Sequence, residues 1–245
     1  MEVPFRVRRI VAVLALLVVV AFWLVLNPTS YETEVRIEDV NATTAEQHNT
    51  ANNADVPEEN TAKFILSKLE IKGRAPKTGY ARTEFYNNWP TVDGCSLRQI
   101  IIKRELGNTA VLDGCDVISG SFVEPYTGSE MVFYQKSDFS RKIQIDHIVA
   151  LSDAWQKGAQ YQNKDDRYRL ATDPLNLIAV DSSANQQKSD GDAATWLPPN
   201  KAFRCQYVAR QVSVKYKYSL WVTQAEHDAI ANILENCPKE PAVGI

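Results

Sequence analysis

What is scarce in this 245-residue chain narrows its chemistry before any motif is read. There are three histidines, His48, His147 and His227, and four cysteines, Cys95, Cys115, Cys205 and Cys237. No two cysteines form a C-x-x-C pair, which argues against a structural zinc site. No H-E-x-x-H run places two histidines on one helix face for a zinc peptidase. No G-x-S-x-G element supplies the nucleophile elbow of a serine hydrolase. No internal repeat is present. Positive charge is not in excess either: the formal net charge is −3. Taken as one number, that total argues against a polyanion-binding protein. The composition, 44% hydrophobic and 23% charged, is that of ordinary globular material, with length for one large domain or two small ones.

The total charge averages three unlike segments. Residues 1–26 carry Arg6, Arg8 and Arg9 against Glu2, a charge of +2. Residues 27–61 carry Arg36 against eight acidic residues, a charge of −7. Residues 62–245 carry 23 Lys or Arg against 21 Asp or Glu, again +2. Ile10 to Leu26 has no charge and is rich in Val, Leu and Ile. As a helix it spans about 25 Å, close to the hydrocarbon thickness of a bilayer. The preceding arginines predict a cytoplasmic N-terminus. The run ends without an A-x-A site, so residues 1–26 are expected to be an uncleaved signal-anchor in the membrane; cleavage would instead release a secreted protein. Residues 27–61 have little aromatic content and no apolar periodicity, and are expected to form an acidic disordered tether. Residues 62–245 are then one extracytoplasmic domain. Four cysteines in an exported chain predict disulfides. Of the three possible pairings, the two local ones, Cys95–Cys115 and Cys205–Cys237, are expected.

Apolar spacing predicts helices over 62–72, 97–106, 150–159 and about 182–189, and another from Thr223 to about Asn236 with Glu226 at the capping-box position. Strands are expected over 115–123, 131–134, 143–148 and 175–180, with a turn at Pro125–Gly128. Residues 202–215 read as mixed. Trp155, Trp196 and Tyr207 read as core.

The histidines focus the search for a site. His48 lies in the tether, and His227 lies in the first turn of the last helix between two acids. His147 lies in Ile143-Gln144-Ile145-Asp146-His147-Ile148, beside an aspartate that offers a hard oxygen ligand. Downstream stand Asn176 and then Asn185, three residues before Lys188 and on its helix face. Strand, strand and helix in this order could gather a carboxylate, a carboxamide and an imidazole around one metal ion. Side chains on a regular strand alternate, so Asp146 and His147 converge only if the strand ends or bulges there.

The run Asp146-His147-Ile148-Val149-Ala150-Leu151-Ser152-Asp153-Ala154-Trp155, with Lys157-Gly158-Ala159, resembles the HNH, or His-Me finger, nucleases. Within them the likeness is to bacterial HNH-endonuclease-like proteins that share a domain with the C-terminal part of GmrSD-type restriction enzymes. It continues through Asp173-Pro174-Leu175-Asn176-Leu177-Ile178-Ala179-Val180 and Asn185-Gln186-Gln187-Lys188-Ser189-Asp190. Trp196-Leu197-Pro198-Pro199-Asn200 and Cys205-Gln206-Tyr207-Val208 follow in order. Gly79-Tyr80-Ala81-Arg82, Gly94-Cys95 and Pro125-Tyr126-Thr127-Gly128 resemble the family upstream, so the likeness covers about residues 62–237. Two places depart from it: Ser96-Leu97-Arg98 stands where Asp-Thr-Arg is frequent, and Tyr86 where glycine is usual. The final His of the HNH motif is Asn185 here.

The resemblance implies an α+β fold with a ββα-metal nuclease core, added helices and strands, and disulfide staples. It implies hydrolysis of nucleic-acid phosphodiesters, DNA ahead of RNA. His147 would be the general base, with Asn176 fixing the imidazole through its other nitrogen or a nearby backbone group. Asp146 and Asn185 would hold one Mg²⁺ or Mn²⁺ ion. Lys188, Arg169 and Arg167 are candidate phosphate contacts. No protein partner is implied. Two other readings stand beside it. One is a catalytically inactive HNH-like domain that binds a cell-envelope partner. The other is a different hydrolase that uses His147 with Ser152.

Overall fold

The computed structural model describes residues 56–244, the Ser140 side chain excepted. The expected signal-anchor and most of the expected tether lie outside the described residues. Among the described residues no helix is long and apolar enough to cross a membrane. The folded unit starts before residue 62. Glu58–Asn60 form a 3-10 turn, and Thr61 is buried, bridges to Pro241 and caps the first helix through its hydroxyl.

In chain order the elements begin with α1 (Ala62–Leu66), the paired strands β1 (Thr91–Val92) and β2 (Cys95–Ser96), and α2 (Leu97–Leu106). A three-stranded antiparallel sheet follows, from β3 (Val111–Asp113), β4 (Asp116–Val123) and β5 (Glu130–Phe133), and then α3 (Lys136–Lys142). Next come β6 (Ile143–His147), α4 (Leu151–Gln156), α5 (Lys164–Thr172), β7 (Leu177–Asp181) and α6 (Ser182–Lys188). α7 (Arg204–Lys217) and α8 (Gln224–Leu234) close the fold. The helix expected over 62–72 stops at Leu66, and Ile71 instead pairs with Val222. The expected helix at 150–159 covers only Leu151–Gln156. Residues 202–215, read as mixed, are almost wholly helix α7.

β6 and β7 form an antiparallel ribbon with unbroken register, from Ile143 opposite Asp181 to His147 opposite Leu177. Alternation gives the ribbon two buried faces. Ile143, Ile145, Leu177 and Ala179 pack with α2 and with Phe133 and Phe139. Ile178 and Val180 pack on the other side with α1, α7 and α8. A third cluster, built on Phe85, Val149, Trp155, Leu170 and Val214, lies under the segment that follows β6. Trp155 and Tyr207 are buried core residues, and Trp196 packs against the core. Asp181 caps α6 through the Ser183 and Ala184 N–H groups, so β7 turns directly into the helix that packs back on the ribbon.

The disulfides are Cys95–Cys115 and Cys205–Cys237. The first ties β2 to the β3–β4 turn, and the second ties the start of α7 to the end of α8. By the chain-entropy argument, closing loops of this size stabilises by about 3 kcal/mol each.

One group of charges is buried inside the domain except for Arg74, which closes it from the surface. The Lys157 ammonium lies 2.7 Å from each of Asp153, Asp192 and Glu226. Lys215 meets Glu226 at 2.9 Å and Asp153 at 3.2 Å. Arg74 reaches Asp192 at 2.6 Å and Asp153 at 3.2 Å. Three acids face three bases, so the charge that burial makes costly is compensated. Glu226 therefore does not close a capping box. Thr223 accepts from the Glu226 N–H, while the Glu226 side chain turns inward to the lysines.

Candidate functional site

The end of β6 opens into a cleft of about 280 Å³. Its lining includes Asp146, His147 and Asn185, with Tyr80, Arg82, Ser152 and Asp190. Three of the residues singled out for chemistry are thus brought together by the ribbon and the helix that follows it. The strand ends at His147 without a bulge, since the pairing with β7 stays regular to its last residue. Asp146 and His147 leave on opposite faces, and both reach the cleft because the ribbon stops there.

The Asp146 carboxylate sits on the α6 side. It accepts the Tyr126 hydroxyl at 2.5 Å and pairs with the Lys188 ammonium at 2.9 Å. Lys188 also donates to the His147 carbonyl at 2.9 Å and is buried. It lies behind Asp146 rather than on a surface open to phosphate. Asn185 donates its amide N–H to the Gln144 side-chain oxygen at 2.7 Å, and its Oδ1 has no hydrogen-bond partner among the described residues. Asp146 and Asn185 together offer two hard oxygens. That set fits a divalent cation that retains several waters.

His147 is buried, with its ring stacked on Trp89 at 6.3 Å and beside Tyr86 at 6.2 Å. Nε2 lies 2.9 Å from the Ala171 carbonyl. A carbonyl only accepts, so Nε2 carries the hydrogen and Nδ1 is the nitrogen left to take a proton. Burial lowers the imidazole pKa to about 3, and the charges of Arg82 and Lys188 push the same way against the Ala171 hydrogen bond. The ring is therefore neutral at physiological pH.

Asn176 does not touch the imidazole. Its Oδ1 accepts from the Val149 N–H at 2.8 Å, its amide donates to the Leu170 carbonyl at 3.2 Å, and its own carbonyl accepts from Ile148. It thus pins the segment after His147 to the end of α5, one residue from the carbonyl that holds the ring. Arg167 is committed elsewhere, to the Glu84 and Gln162 carbonyls and over the Trp155 ring. Arg169 pairs with Asp166 beside a different cavity. Ser152 donates to Asp190 at 2.9 Å and makes no bond to His147, so the two do not form a nucleophile–base pair. His227 lies on α8 beside Asp228, away from the cleft.

Sequence reasoning missed two participants. Tyr126 orients Asp146. Arg82, exposed on the cleft rim, donates to the Tyr86 hydroxyl and makes no ion pair among the described residues. Their only signal was membership of the runs Gly79–Arg82 and Pro125–Gly128.

The family model of the C-terminal domain of GmrSD restriction endonucleases matches residues 117–233, a span that contains the β6–β7 ribbon and α6. A secreted protein of Arthroderma benhamiae, itself uncharacterized, is 36% identical over 186 residues, covering 75% of this chain and 88% of the relative. No solved structure matches the chain.

Proposed function

The chain belongs to the family of the C-terminal domain of GmrSD restriction endonucleases, and from that premise we propose that it is an extracytoplasmic, metal-dependent endonuclease with a ββα-metal core. The observation that carries this reading is the unspent capacity at one place. Beside the Asp146 carboxylate, the cleft gathers a neutral imidazole, the Asn185 carbonyl oxygen and the Arg82 guanidinium, and among the described residues His147 Nδ1 and Asn185 Oδ1 have no partner and Arg82 has no carboxylate.

In this reading a phosphodiester enters the cleft, a water attacks phosphorus, the scissile P–O bond breaks, and the departing sugar oxygen takes a proton from solvent. His147 takes the proton of that water at Nδ1, while the Ala171 carbonyl holds the opposite nitrogen and fixes the tautomer. Asn176 keeps that carbonyl and the His147 backbone in register. Asp146 and Asn185 would hold one Mg²⁺ or Mn²⁺ ion, which when bound supplies compensation for charge on the phosphoryl and leaving oxygens. Lys188 and Tyr126 hold the Asp146 carboxylate toward that position. The two disulfides and the secreted relative support an oxidising compartment outside the cytoplasm. Anchoring through residues 10–26 and a preference for DNA over RNA belong to the same proposal.

Plasmid nicking tests it. The expected result is nicking in Mg²⁺ or Mn²⁺ that stops with a chelator and falls about 100-fold in Asn185→Ala, the scale of lost charge stabilisation at a reacting phosphate. A folded protein that cleaves neither DNA nor RNA in any divalent cation would overturn the reading. It would leave the non-catalytic, envelope-binding domain in its place.

A further inference from the structure

Beside the cleft lies a second recess that none of the roles above uses. It measures about 330 Å³, at the small end of ligand pockets. Tyr86, Asn87, Asn88, Lys164, Asp165 and Tyr168 line it. Tyr86 is the recess residue nearest the cleft's imidazole. Its ring is 6.2 Å from that of His147, and the Arg82 guanidinium, which lines the catalytic cleft, lies 5.2 Å above it and donates to its hydroxyl. The recess thus adjoins the cleft where Tyr86, on the recess side, packs beside His147 and under the exposed Arg82, both of which line the cleft.

The lining chemistry is unspent. Asn87 and Asn88 are exposed, and their side-chain amides make no hydrogen bond among the described residues. Lys164 and Asp165 form no ion pair among them. Tyr168 is 41% exposed. Two free amides and a carboxylate offer donors and acceptors to a planar polar edge, and an open aromatic ring offers a face. An exposed ammonium suits a phosphate. That combination is the chemistry that recognises an unstacked nucleobase.

We propose that this recess is a nucleobase subsite: it takes the base next to the scissile phosphate, Arg82 holds the phosphate between recess and cleft, and the substrate is single-stranded or locally unpaired nucleic acid. This rests on the nuclease reading of the adjacent cleft. A base inside a duplex is stacked and paired, and it reaches a recess of this kind only by leaving the helix. Arg82 also replaces Arg167 and Arg169 as the phosphate contact, because its guanidinium is the one that faces the cleft.

The test is binding measured apart from cleavage. Fluorescence anisotropy with the full-length chain in EDTA compares one labelled 12-mer as a single strand and as a duplex. The single strand should bind about tenfold tighter. Tyr168→Ala and Asn88→Ala, both at exposed positions, should each weaken single-strand binding several-fold and leave duplex binding unchanged, while Arg82→Ala should weaken both. Equal affinity for the two forms, failure to bind either, or unchanged single-strand binding in both recess variants would overturn the subsite. Nicking without single-strand preference sinks the subsite and leaves the nuclease reading standing. Single-strand preference in a protein that never cleaves does the reverse.

Discussion

Lys157 and Lys188 are both fully buried lysines with carboxylate partners, yet they serve opposite ends. Lys157 is enclosed by three carboxylates, themselves shared with Lys215 and Arg74. Every carboxylate there is matched by a cation of the same group, with only Arg74 reaching the surface. Lys188 has one carboxylate, Asp146, and one carbonyl, and the groups around that pair keep atoms unused: Asn185 Oδ1, His147 Nδ1 and the Arg82 guanidinium. The same residue types make a structural rivet when their capacity is spent internally and a site when it is left over. Burial and charge alone do not separate the two; the remaining hydrogen-bonding capacity does.

Lys157→Met should break the rivet most severely. It leaves three buried carboxylates to share only Lys215 and Arg74, one cation short, and should cost about 3–5 kcal/mol, read as a lower midpoint in urea unfolding. Turnover per folded molecule should not change, which separates this region from the cleft. Asn176→Ala comes next, since it removes the partner of the buried Val149 N–H. A loss of about 3 kcal/mol, the upper end for an unsatisfied buried group, is expected, this time with reduced turnover.

Acid gives a smaller effect on the rivet. Burial pushes the Asp192 carboxyl up, but the hydrogen bond and charge of Lys157 and the charge of Arg74 outweigh it and hold its pKa at about 2, against 3.8 ordinarily. A depressed carboxyl stabilises the fold above its unfolded pKa and loses that contribution as pH falls through the folded one. About 2 kcal/mol should therefore disappear between pH 4 and pH 2, measured by thermal melts across that range. Asp192→Asn should flatten this part of the profile. The smallest effect is expected for Arg169→Ala. Its surface pair with Asp166 is worth under about 1 kcal/mol, and both stability and cleavage should stay near wild type.

The contrast also explains what the sequence made legible. The β6 segment reads easily because Ile143 and Ile145 alternate with polar residues, and its Asp146-His147 pair marks the site. Asp181 announces the start of α6 as an N-cap. Helix α7 was hidden because Gln211, Ser213 and Lys215 lie on its buried face and interrupt the apolar period. Lysines are almost never fully buried unless paired, so Lys157 and Lys215 carry no core signal until their partners, up to 69 residues away, are in place. Arg82 has the same difficulty in reverse. It opens an isolated 3-10 turn, Arg82–Glu84, and only the tertiary fold brings it over the cleft. Arg167 and Arg169, closer in sequence to the site motifs, are turned to other partners.

We propose that the cleft, and not the rivet, does the chemistry, with His147 as its base. The most direct measurement is the cleavage rate of His147→Ala beside its unfolding curve and circular dichroism spectrum. A folded protein is expected whose cleavage falls by about 10²–10⁴-fold, the range for loss of a general base. Full cleavage by the folded variant would contradict it.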